Sequence, residues 1–303
     1  MKHFKIFEMV KAVARAGSIR KAAEDMNITA SALNRRIKDF EDELGFELFE
    51  RLPQGMRLNP AGELLIQHIR LQMSDLARIQ SQVADLSGLR RGHVSIACSQ
   101  ALLPYFLSEQ ISFYRAQHPG ITFSINVRDR QQIEHDLSTF ESDLALVFEP
   151  VHLVDFEIIQ SIPQPVHAVF RADHSLAKKR ELRLRDCLDH PCIVPSTNYG
   201  VRNLLEIGAK KILRTLTPAL ETESFDLIRH YVQHDYSVGF QIPIGLNNLI
   251  CANTVHRPIA VKDIPIGQLY LGQKKGRRLP VASSRFALQL HSALESLNNI
   301  SPD

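Results

Sequence analysis

Between Phe4 and Gly62 the chain compresses three short helical patterns, two glycine stops and a hairpin signal into one stretch, an order that few folds accept. Phe7, Val10, Val13 and Ala14 recur at helical spacing, and Gly17 then closes that helix as a left-handed cap. Ser18 starts a second helix carrying Ala22-Ala23, small enough for another helix to cross closely, and Met26-Asn27-Ile28 form the turn after it. Thr29 caps a third helix whose stripe of Leu33, Ile37, Phe40 and Leu44 faces a core, with Gly45 as its stop. Arg51-Leu52-Pro53-Gln54-Gly55-Met56-Arg57-Leu58 reads as a short hairpin turning at Gln54-Gly55. The pattern is that of a winged helix-turn-helix.

The charges on the third helix run against its own stability. Basic Arg35, Arg36 and Lys38 fill the first half and acidic Glu41, Asp42 and Glu43 the second, opposing the helix macrodipole by a few tenths of a kcal/mol per charge. A polyanion meeting the N-terminal half supplies a reason, since recognition helices enter the major groove N-terminus first. The candidate DNA contacts are therefore Ser18, Thr29, Ala30, Ser31, Asn34, Arg35, Arg36 and Lys38, with Arg51 and Arg57 of the hairpin near the phosphate backbone. Asn34 would pair bidentately with adenine and Arg35 would read guanine or hold phosphate, against the alternative that both are simply solvated. Charge along the chain agrees: residues 1–91 hold 15 basic and 12 acidic side chains and residues 92–303 hold 21 of each, so the net +3 is all N-terminal.

Asn59 and Pro60 open a long helix, as cap and first residue. Leu65, Ile69, Gln72, Leu76, Ile79, Val83 and Leu86 follow at strict 4-3 spacing, a coiled-coil seam that predicts homodimerisation over about 28 residues, roughly 42 Å at 1.5 Å each. Ser87-Gly88-Leu89-Arg90-Arg91-Gly92 is the linker signal. Strands and helices then alternate, predicting a largely parallel α/β sheet. Ligands in such sheets lie beyond the carboxyl ends of strands, which places Ser99, Gln100, Arg130 and Phe148 at a binding site.

Gly17-Ser18-Ile19 with Ala22-Ala23, the stretch Thr29 to Ile37, Phe40-Glu41-Asp42-Glu43-Leu44-Gly45, Leu48-Phe49-Glu50-Arg51 and Leu58-Asn59-Pro60-Ala61-Gly62 together resemble the LysR-type transcriptional regulators, and the resemblance covers essentially the whole chain. The family commonly has Gln, Pro and Ser where this chain has Ala30, Ser31 and Asn34, so operator preference does not carry over. The resemblance implies an α + α/β chain in three parts: a winged helix-turn-helix over 1–59, a linker helix and hinge over 60–91, and an effector domain over 92–303 resembling type 2 periplasmic binding proteins. Its first lobe would take about 92–163 and 266–303, its second about 164–265. An effector between the lobes would meet Ser196, Thr197, Arg202, Ser224 and Phe225 from the second lobe, and family analogy makes it a small organic acid, for which Arg130 and Arg202 are the carboxylate partners. The family also implies operator DNA with dyad half-sites, a homodimer assembling into a homotetramer, and RNA polymerase as a further partner.

No apolar run approaches the ~18 residues needed to cross a bilayer, so a cytoplasmic protein with no membrane partner is expected. There is no Walker loop, G-x-S-x-G, H-E-x-x-H or G-x-G-x-x-G, hence no catalytic residue, cofactor or metal is assigned, and the i, i+4 pair His230 and His234 is read as coincidence among 13 histidines. Cys98, Cys187, Cys192 and Cys251 are read as structural thiols, and Lys274-Lys275-Gly276-Arg277-Arg278 as a solvated loop. The alternative function is a small-molecule binding protein or enzyme whose helix-turn-helix serves protein interaction.

Overall fold

A computed structural model describes residues 2–53, 55–86, 91–246 and 253–300; Gln54, the linker residues Ser87-Gly88-Leu89-Arg90, Cys251 and the side chain of Leu86 lie outside the described set. The chain divides into two compact units, residues 1–80 and 81–303.

In the first unit α1 (Lys2–Ala16), α2 (Ile19–Asp25) and α3 (Ala30–Leu44) end where the stop signals stand, with Gly17 and Gly45 at φ +60° and +77°. Ser18 Oγ accepts the Lys21 N–H and Thr29 Oγ1 accepts the Ala32 N–H, so both cap their helices. Val10, Val13, Ala22, Ala23, Leu33 and Ile37 are sealed between the three helices. The wing pairs β1 (Phe49–Leu52) with β2 (Gly55–Leu58), Leu52 opposite Gly55, so Gly55 lies in the strand and not in the expected turn. Gly55 serves packing instead: a Cβ there would stand 2.3 Å from the Gly17 carbonyl oxygen, which already accepts the Met56 N–H.

Asn59 opens α4 (Pro60–Leu86), its Oδ1 accepting the Gly62 N–H while its Nδ2 donates to the Glu47 carbonyl. Here the expected seam divides. Ile69 is fully buried in the helix-turn-helix core beside Ile66, and Leu65 packs against the same cluster, because the first turns of α4 must roof that core. The apolar residues left in water are Leu64 (78% exposed), Leu71 (44%), Ile79 (49%) and Val83 (56%), a stripe about 120° wide at 100° per residue. Gln72 is exposed and Leu76 half-buried. Ile69 is thus withdrawn from the expected seam, and Leu64 and Leu71, which the 4-3 count passed over, take the exposed face.

The second unit holds two five-stranded sheets. One orders as β4-β3-β5-β12-β6, from β3 (Gly92–Cys98), β4 (Ile121–Val127), β5 (Leu144–Phe148), β6 (Phe156–Gln164) and β12 (Gly267–Lys274). The other orders as β11-β7-β10-β8-β9, from β7 (His167–Arg171), β8 (Cys192–Pro195), β9 (Pro218–Thr222), β10 (Val238–Gln241) and β11 (Thr254–Pro258). Each has three parallel strands, but β12 runs antiparallel to β5 and β6, and β7 antiparallel to β10 and β11. The sheets are therefore mixed, because the chain crosses between lobes twice, after β6 and before β12, and each crossing feeds a strand in reverse. The helices are α5 (Ser108–Gln117), α6 (Arg130–Ser138), α7 (Leu184–Leu188), α8 (Gly200–Lys211), α9 (Phe225–Tyr231) and α10 (Val281–Ile300). The expected helix after Ser99 begins instead as a 3₁₀ turn, Gln100–Leu102, and a π turn, Leu103–Leu107, before α5.

Several charges are internal. Arg277 donates to Asp143 Oδ1 (2.6 Å) and the Ser142 carbonyl and lies over the Phe140 ring, and Lys274 Nζ donates to the Ser138 carbonyl. The supposedly solvated basic loop thus contributes two staples to the lobe. His167 and His256 face each other on β7 and β11 with their Nδ1 atoms 2.8 Å apart, and burial with its neighbour brings His167 down to about 4. Cys98, Cys187 and Cys192 are buried free thiols; burial pushes Cys98 and Cys192 up to about 12 and Cys187 in the same direction.

Candidate nucleic-acid interface and effector cleft

On α3 the capping residue and the turn after it present a polar edge, Thr29 Oγ1 lying 3.2 Å from Ser31 Oγ with Ala30 exposed beside them. Arg35, Arg36 and Lys38 are exposed; Arg35 has only a loose 3.9 Å approach to Asp39, worth a few tenths of a kcal/mol in water. The acidic half of the helix has its own task. Glu41 Oε1 accepts the Leu48 and Phe49 N–H groups, fixing where the wing leaves the core. In the wing, Arg57 pairs with Glu50 at 2.9 Å, and Arg51 reaches back to α3, its Nη2 donating to Asn34 Oδ1 at 3.1 Å. An open groove of about 760 Å³ runs between α3 and the wing, with Asn34, Lys38 and Arg51 on its walls.

In the second unit the parallel strands of the first sheet are followed by Ser99, Arg128 and Glu149, and those of the second by Ser196, Glu223 and Ile242. These ends face one another. A cavity of about 10 Å³, room for one water, lies between them, lined by Ser99, Arg128, Arg130, Phe148, Tyr199 and Phe225 among others. A second of the same size is lined by Gln100, Phe225, Arg229 and Gln241. The lobes are latched across this line: Arg130 Nε donates to the Asn198 carbonyl (3.1 Å) and its Nη1 to the Glu149 carbonyl (2.9 Å), while Gln100 Oε1 accepts the Phe225 N–H at the start of α9 (2.9 Å). Burial lowers the Arg130 pKa, opposed by Glu149, Glu134 and Asp129. Gly200 permits the approach, since a Cβ there would lie 2.7 Å from the Phe148 carbonyl oxygen and from the Glu149 Cβ.

Two family models match the chain: "Bacterial regulatory helix-turn-helix protein, lysR family" over residues 4–63 and "LysR substrate binding domain" over residues 87–295. The chain belongs to the LysR family of bacterial transcriptional regulators. Among its curated relatives, the HTH-type transcriptional activator CmpR of Synechocystis sp. is 26% identical over 284 residues, 92% of each chain. The HTH-type transcriptional regulator YofA of Bacillus velezensis is 34% identical over 241 residues, 78% of each. Among solved structures, a full-length OxyR variant from Pseudomonas aeruginosa superimposes with a TM-score of 0.70 at 17% identity, over 96% of this chain and 94% of that one, a likeness of fold. The matched proteins are regulators, which removes the enzyme reading.

In this LysR regulator Ser99, Gln100, Arg130, Phe148 and Phe225 line the two small cavities, but four other nominees do not. Arg202 is the clearest departure: its guanidinium, 9% exposed, is held by Glu206 and Glu221 at 2.8 Å each and approaches the Pro195 carbonyl at 3.4 Å. With two carboxylates already on it, it ties α8 to β8 and β9 and is no partner for an anion. Ser224 Oγ caps α9 by accepting the Leu227 N–H, the Ser196 carbonyl accepts the Tyr199 N–H in a turn, and Thr197 is exposed outside both cavities. The lining residues passed over include Arg128, Tyr199, Gly200, Arg229 and Gln241. Arg128 stands directly after a strand, so the rule that found Arg130 would have found it too.

Proposed function

We propose that this LysR-type regulator is a cytoplasmic dimer that reads paired operator half-sites with the first half of α3 and the wing, and answers to a small organic anion bound between its lobes. The exposed stripe of Leu64, Leu71, Ile79 and Val83 supports pairing through α4. Ser18, Thr29, Ala30, Ser31, Asn34, Arg35, Arg36, Lys38, Arg51 and Arg57 supply the DNA contacts, and the family pattern extends the dimer to a tetramer that meets RNA polymerase.

The observation that carries the anion reading is the Arg130 latch. One guanidinium spans both lobes through two carbonyls, and the described residues put no acceptor on Arg130 Nη2. A carboxylate is a stronger acceptor than the carbonyl of Asn198, so it would displace that contact and reset the lobes, which is the differential interaction that a switch requires. Thermal-shift and calorimetric titration of the full chain with mono- and dicarboxylic acids tests this. One acid at 100 times its Kd should add about 2.7 kcal/mol, several degrees of Tm, and Arg130→Gln should abolish the gain while DNA binding persists. No response to any acid from a dimer that still footprints DNA would overturn it.

A further inference from the structure

We infer that Arg51 determines which base Asn34 reads: by holding the amide oxygen toward the wing, it offers DNA the Nδ2 donor, which favours guanine or thymine over the bidentate donor-and-acceptor pairing with adenine. This rests on the proposed reading of DNA by the first half of α3.

Arginine has five N–H donors and no acceptor, so the atom of Asn34 that faces Arg51 must be the carbonyl oxygen. The 3.1 Å contact therefore fixes the amide rotamer and points Nδ2 the other way. Asn34 is half-buried on α3 and lines the groove between that helix and the wing. Bidentate recognition of adenine requires the amide to accept from N6 while donating to N7. Here the accepting atom is turned toward the wing. The two hydrogens on Nδ2 suit N7 and O6 of guanine, or O4 of thymine, whereas adenine offers them N7 alone beside an amino group that repels the second hydrogen, and cytosine offers only an amino donor. Arg51 is itself exposed, and the wing that carries it is held by the antiparallel pairing of Arg51 with Met56 and by the Met56 N–H bond to Gly17. The lock is thus built from the fold and spans 17 residues of sequence.

Selection of operators from random duplex DNA by the full-length chain, followed by sequencing, reads this out. Wild type should enrich guanine or thymine by about 3- to 10-fold at one symmetric pair of positions, the span of a single hydrogen bond of ordinary strength. Asn34→Ala should make that position degenerate and leave the rest of the motif intact. Arg51→Ala should weaken binding to all sequences through a lost phosphate contact and, separately, admit adenine at the Asn34 position; Arg51→Lys, which can donate to the same oxygen, should restore the guanine or thymine preference. Two results overturn the inference in distinguishable ways. If Asn34→Ala alters no position, Asn34 is not a reader and the assignment of the α3 contacts fails. If the position that depends on Asn34 is adenine or cytosine in wild type, or does not change in Arg51→Ala, Asn34 reads without the lock.

Discussion

The helix-turn-helix and the core of the effector domain use particular arginines differently. On the helix-turn-helix the cations sit in water: Arg15, Arg20 and Arg35 have pairing distances of 3.8, 3.2 and 3.9 Å with side chains 72% exposed or more. In the effector domain Arg202 and Arg277 are 9% and 6% exposed, with partners at 2.8 and 2.6 Å. Exposed pairs contribute under about 1 kcal/mol each, whereas breaking a buried one costs several, so the first set is available to a ligand and the second is part of the frame. A basic residue in the sequence says nothing of which set it belongs to until its surroundings are known.

The sharpest way to break this contrast is Asp143→Ala. Its carboxylate accepts from Arg277, from Ser283 Oγ at 2.7 Å and from the Ser95 N–H at 3.3 Å, so the variant should lose about 3–5 kcal/mol in urea unfolding of the effector domain. A loss below about 1 kcal/mol would mean that the pair is no frame element. A second test uses pH. His167 is held near 4 and His256 is also lowered by burial, so the unfolded chain binds more protons than the folded one between about 6.5 and 4. Stability should therefore fall as pH drops through that window, on the order of 1–3 kcal/mol, and His167→Gln should flatten the decline. An unchanged slope in that variant would place the effect elsewhere.

On the DNA side, Arg35→Ala should leave urea stability within about 0.5 kcal/mol and lower the slope of log affinity against log salt by about 1 if the side chain holds a phosphate. A large loss of stability would move Arg35 into the frame and erase the contrast. The smallest effect belongs to the thiols. With Cys98 and Cys192 near 12, about one in 10⁴ is thiolate at pH 8, so a Cys251→Ser protein should react with a disulfide reagent only once denatured. Prompt labelling of the native protein would mean that the sheets open far more readily than their burial implies.

Much of the helix-turn-helix was legible because its signals are local. The capping contacts of Gly17, Gly45, Thr29 and Asn59 each fall within four residues, and the stripe of Leu33, Ile37 and Phe40 is one helix face. The strand ends were also legible, since a short apolar run and the helix after it locate Ser99, Arg130 and Phe148. What escaped was pairing over distance. Periodicity named α4 as amphipathic but could not say that Ile69 would be covered by its own domain and Leu64 left bare. Likewise Arg202 meets Glu221 from another element, and Gly55 answers to Gly17, far from it in the sequence. Asn34 was assigned to adenine because the residue type allows it; a contact from the wing changes which atom is on offer.

Gly200 sits where the lobes touch, with no space for even a methyl group against the Phe148 carbonyl. Any glycine codon becomes an alanine codon by one nucleotide change, and that change would drive a wedge into the seam without touching a polar group. Under the proposed lobe switch, its resting set-point is thus open to change by a single nucleotide at this codon, and a population selected for unregulated expression should include variants at this position.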